Sequence, residues 1–62
     1  MKYTIDDYVQ ARYKGSKVWA WITEINFLSP TKLEYTLSFE QSNNRSKLKV
    51  LEQDILCKQT SL

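Results

Sequence analysis

Residues 7–25 read DYVQARYKGSKVWAWITEI, and their alternation decides the fold. Before Gly15, Val9, Ala11 and Tyr13 alternate with Tyr8, Gln10 and Arg12. After it, Val18, Ala20 and Ile22 alternate with Trp19, Trp21 and Thr23. Period-two alternation on both sides of a glycine-containing connection predicts a β-hairpin with one face turned inward. The turn is placed at Lys14-Gly15-Ser16-Lys17, with strands over about 8–13 and 18–27.

Along the second strand the apolar set changes phase. Val18, Ala20 and Ile22 share one parity, and Ile25 and Phe27 share the other. Either the strand switches face, or a bulge at Thr23-Glu24 turns both sets inward; the bulge is the favoured reading, as in strongly bent small sheets. Proline lacks the N–H that a central strand needs, so Leu28-Ser29-Pro30-Thr31 reads as a connection.

Residues 32–40 give the cleanest strand. Leu33, Tyr35, Leu37 and Phe39 are expected inside, and Glu34, Thr36, Ser38 and Glu40 outside in water. The stretch 41–45 reads as a turn, since asparagine takes left-handed backbone geometry at low cost. A fourth strand is predicted over 46–51, one helical turn at Glu52-Gln53-Asp54, and a last short strand over 55–57. Tyr3 and Ile5 are expected to cover one end of the core, and residues 58–62 to fray. The whole is one domain, with its core over about 3–57. Five short strands with tight turns predict an all-β, strongly bent barrel. An open sheet on a terminal helix is the alternative, disfavoured because no stretch holds a 3.6-residue period.

Composition narrows the function. Sixty-two residues with 42% hydrophobic and 13% aromatic content suffice for one small core. The net charge of +2 does not by itself indicate nucleic acid. One cysteine and no histidine argue against a metal site or an internal disulfide. No Ser/His or Cys/His pair and no phosphate-cradling glycine loop occurs, so no catalytic residue, enzyme activity or cofactor is expected. Cys57 is expected to act as a small buried hydrophobe. No apolar run spans a membrane and the start lacks a signal-peptide core, so an intracellular protein is expected.

At this point the residues resemble a family. Val9-x-Ala11-Arg12-Tyr13, a glycine turn and Ala20-x-Ile22-Thr23-x-Ile25 resemble the opening of a Tudor domain. Leu37-Ser38-Phe39-Glu40 and Val50-Leu51-Glu52-Gln53-Asp54-Ile55-Leu56-Cys57 fit the same domain. The last string is similar to the end of the first Tudor repeat of DNA-damage checkpoint mediators, and Polycomb-like proteins share much of it. The resemblance covers nearly all of residues 3–57. It implies a five-stranded SH3-like barrel, nuclear, that binds methylated lysine or arginine in a histone tail or another basic peptide through an aromatic cage.

Carried over residue by residue, Tyr13 falls on the first-strand wall and Phe39 on the third-strand wall. Val18 occupies the second-strand wall position, and Ser42 or Asn43 the one in the following turn. Glu40 stands beside the expected acidic position, which holds Gln41. Trp19 joins the cage only if a local bulge rotates it, because a register shift of the whole strand would send Val18, Ala20 and Ile22 outward. The implied ligand set is therefore Tyr13, Trp19, Phe39, Glu40 and Ser42.

A second surface competes with it. Arg12, Lys14, Lys17, Arg45, Lys47 and Lys49 cluster on the two hairpins with Trp19 and Trp21. Their ordinary reading is a solvated strand face. Basic residues interleaved with aromatics also hold single-stranded DNA or RNA through phosphate contacts and base stacking. Trp19 and Trp21 are alternatively covered by a second domain or subunit.

Overall fold

The computed structural model describes residues 2–59, with the backbone alone at Gln41. Its elements are β1 (Tyr8–Tyr13), β2 (Ser16–Ser29), β3 (Lys32–Gln41), β4 (Asn44–Leu51), one 3-10 turn (Glu52–Asp54) and β5 (Ile55–Lys58). The strands form one antiparallel sheet in the order β4-β3-β2-β1-β5. No α-helix occurs among the described residues, so the alternative of a terminal helix under an open sheet is not what forms. Residues 60–62 of the expected frayed tail lie outside the described residues. Lys58 and Gln59, expected to fray, do not: Lys58 closes β5 opposite Val9, and the Gln59 N–H donates to the Tyr8 carbonyl at 2.8 Å, which ties both to β1.

The turns are tighter than the sequence suggests. Lys14 and Gly15 alone connect β1 to β2, with φ of 50° and 76°, so Tyr13 pairs directly with Ser16. Ser42 and Asn43 connect β3 to β4 with φ of 51° and 67°, and Gln41 pairs with Asn44. Two successive left-handed residues match the right-handed twist of the flanking strands, whereas two-residue turns of type I or II would splay them. Pro30 and Thr31 form the β2–β3 turn, where the proline ring presets φ.

Thr23 is the bulge. Ile22 pairs with Leu37 and Glu24 with Thr36, which leaves Thr23 unopposed in the ladder. Its hydroxyl donates to the Thr36 carbonyl at 3.2 Å. The extra residue switches parity, so Ile22 and Ile25 both face the core. Two further irregularities bend the sheet, one near Leu28 in β2 and one at Leu56 within the β1–β5 ladder.

Val9, Ala11, Ala20, Ile22, Tyr35 and Leu37 are fully buried, with Leu48, Val50 and Ile55 nearly so. A single sheet without an α-helix can bury these residues only by curving its inner face over itself, and the bulges supply that curvature. Tyr3 closes one end, its ring edge-on to Tyr35 at 5.8 Å. The Tyr35 hydroxyl donates to Glu52 Oε1 at 3.3 Å, which ties the 3-10 turn to the core.

Four further expectations fail. Thr36 and Ser38 are buried rather than wet, because they are short side chains on β3, which is flanked by longer neighbours from β2 and β4. Phe27 has core parity but is 70% exposed, because it lies near the far end of the β2–β3 hairpin and does not pack against the core. Ile5 is exposed, and of the two only Tyr3 packs against the core. Cys57 is also exposed. It lies opposite Gln10 on the outer face, with Sγ 3.7 Å from Gln10 Oε1.

Leu37→Ala should cost about 2–5 kcal/mol by chemical denaturation, enough to unfold a domain this small. Phe27→Ala should change stability by under about 0.5 kcal/mol. Burial, then the neighbouring Glu52 charge and the hydrogen bond to it, raises the Tyr35 phenol above its ordinary value of 10.0. A raised folded-state pKa means this stabilisation is complete below the unfolded pKa and lost as pH climbs through the folded one. Alkaline unfolding of the native chain should therefore show a component that Tyr35→Phe removes.

Candidate ligand-binding face

In an antiparallel pair, directly opposed residues share a face, so the registers alone assign every side chain. One outer rung runs Tyr8, Trp21, Ser38 and Lys47 from β1 to β4. The next runs Glu24, Thr36 and Lys49 across β2, β3 and β4. On the other side lie Cys57, Gln10 and Trp19, then Arg12 opposite Lys17. Glu40 and Arg45 form the matching rung of β3 and β4.

The aromatic centre is a cluster of three rings. Tyr8 lies 5.4 Å from Trp19 in a stacked pose and 4.5 Å from Trp21 in a tilted one. Trp19 stays 40% exposed and Trp21 53%. Ring contacts of this kind contribute roughly 0.5–1.5 kcal/mol beyond area burial. The β2–β3 ladder ends at Trp21 and Ser38, beyond which the two strands part. A groove of about 330 Å³ opens there, lined by Tyr8, Trp19, Trp21, Ser38, Phe39, Glu40 and Arg45.

The charge on this face is uneven. Arg12, Lys17, Arg45, Lys47 and Lys49 stand against Glu24, Glu34 and Glu40, five basic residues to three acidic. The remaining charged residues number four of each sign, so the whole formal excess of +2 belongs to this face. Arg45 Nη2 lies 3.2 Å from Glu40 Oε1, with both side chains largely in water, so the pair adds little stability. Arg12 and Lys17 face each other directly, a like-charge pair that opposes folding.

The set implied by the Tudor resemblance is partly gathered. Trp19, Phe39 and Glu40 line the groove. Tyr13 meets Phe39 edge-on at 6.3 Å, on the core side of the sheet. The β1–β2 register is regular from Tyr8 to Tyr13, so no local bulge rotates Trp19 toward Tyr13. Lys14 Nζ lies 5.2 Å from the centre of the Tyr13 ring, which places a cation of the chain itself on that aromatic. Ser42 is exposed in its turn. Of the basic set, Lys14 stands apart over Tyr13, and the other five share the outer face.

Tyr8 is the residue the sequence reading passes over. Counting outward from a two-residue turn at Lys14-Gly15 pairs it with Trp21. A four-residue turn hides that partnership. Among the described residues no group of three or more His, Cys, Asp or Glu side chains is placed to hold a metal, and no helix is long and apolar enough to cross a membrane. Comparison with protein-family models, curated proteins and solved structures gives no match.

Proposed function

We propose that the chain is a non-catalytic binding module, an SH3-like barrel of Tudor type, whose outer face binds single-stranded nucleic acid. The strand order, the 3-10 turn before β5 and the self-covering core support the barrel reading. One observation carries the ligand reading: the register sets the Tyr8, Trp19 and Trp21 rings on the same face as five cations. Exposed rings stack on unpaired bases at roughly 1–3 kcal/mol per base, and the cations neutralise phosphates. A polyanion also turns the opposed Arg12 and Lys17 from a repulsive pair into a shared binding element.

A second reading rests on Trp19, Phe39 and Glu40 lining one groove. A methylated lysine of a histone tail, in a chromatin or repair setting in the nucleus, would meet aromatic faces and a carboxylate there. Arg45 beside Glu40 works against it, since a fixed cation repels a cationic guest.

Titrating tryptophan emission with an oligothymidylate of eight nucleotides, (dT)8, tests the first reading. Quenching is expected, with affinity falling as salt rises on a slope of about −2, as for three phosphates on a single strand. Trp21→Ala should weaken binding about tenfold. Absence of quenching at low salt overturns the nucleic-acid reading. Shifts at Trp19 and Phe39 with a trimethyl-lysine histone peptide, absent with the unmodified peptide, would favour the second.

A further inference from the structure

Beside the aromatic groove, one rung along the strands and about 7 Å away, lies the row of Glu24, Thr36 and Lys49. Thr36 is only 4% exposed, and its hydroxyl has no hydrogen-bond partner. The nearby Thr23 hydroxyl is already committed to the Thr36 carbonyl. A buried hydroxyl without a partner is uncommon in native proteins and calls for an explanation. Thr36, Lys47 and Lys49 line one hollow of about 500 Å³, together with Tyr13, Glu24 and Leu48. Among the described residues neither lysine forms an ion pair.

We infer that this hollow seats one phosphate of the bound strand, with Lys47 and Lys49 supplying ammonium donors and the Thr36 hydroxyl a neutral one. The inference rests on the nucleic-acid reading above and adds the place and donors of a backbone contact. The neighbouring rung carries Trp21, so a base on the aromatic cluster and a phosphate at Thr36 are within the reach of adjacent nucleotides. A side-chain hydroxyl and two ammonium groups are the donor types that phosphate oxygens take in protein–nucleic acid contacts. Glu24, directly opposite Thr36, is the one carboxylate at the hollow and opposes the anion. It limits how tightly the seat holds any free anion.

Two probes separate this seat from the stacking face: (dT)8 and an eight-unit abasic deoxyribose phosphate strand. The abasic strand should shift the backbone amide signals of Thr36, Lys47 and Lys49 without quenching tryptophan emission. Thr36→Val should keep or raise the melting temperature, which establishes that it folds, and weaken both probes about tenfold. Glu24→Gln should strengthen both. If (dT)8 still quenches while Thr36→Val and Lys49→Ala bind it like the native chain, the phosphate seat is overturned and the stacking face survives. If (dT)8 fails to quench while the abasic strand still shifts residues 36, 47 and 49, the seat stands and the stacking face is overturned.

Discussion

Two consecutive left-handed residues, Lys14 and Gly15, set the register on which everything else depends. They close the first hairpin in two residues and oppose Tyr13 to Ser16, and every later pairing in β1 and β2 follows by counting outward. Because side chains alternate with a period of two, a slip of one residue would expose Val18, Ala20 and Ile22 and bury two tryptophans. Burial of the aliphatic set therefore holds the hairpin in the one register that leaves Trp19 and Trp21 outside with Tyr8.

A sheet of one layer cannot cover its own core while flat. Thr23 bends β2 and carries its inward parity from Ile22 to Ile25, and its hydroxyl engages β3 while doing so. Curvature and the groove share this origin. Where the bend carries β2 away from the end of β3, the ladder stops at Trp21 and Ser38, and the groove opens at that point.

The outer face departs from what stability alone would select. It concentrates the net charge, opposes Arg12 to Lys17, leaves two tryptophans exposed and buries a hydroxyl without a partner. Local conflicts of this kind are expected where a surface is shaped for a ligand rather than for the fold. Under the proposed function, a ligand that brings aromatic bases and phosphates together would relieve or use each of them. The core, by contrast, shows no such conflict: its apolar residues are packed, and the Tyr35 hydroxyl is paired with Glu52.

Much of the architecture was legible in the residues. Alternation around Gly15 and over 32–40 gave the strands, the phase change at Ile22–Ile25 gave the bulge, and Glu52-Gln53-Asp54 gave the helical turn. Burial of Thr36 and Ser38 was not legible, because an alternating pattern names the face of a side chain and not how far its neighbours cover it. Exposure of Phe27 escaped for the same reason, and that of Cys57 because the irregularity at Leu56 switches β5 parity and sets Cys57 opposite Gln10 on the outer face. Parity could place Trp19 and Trp21 opposite the core. The two-residue turn brings Tyr8 opposite Trp21, and only the tertiary pairing could align β4's cations with them, because β4 lies far from that hairpin in sequence. The sequence by itself thus determined which face is apolar, through a local period of two; what the other face assembles was decided by cross-strand register, which turn geometry and packing set together.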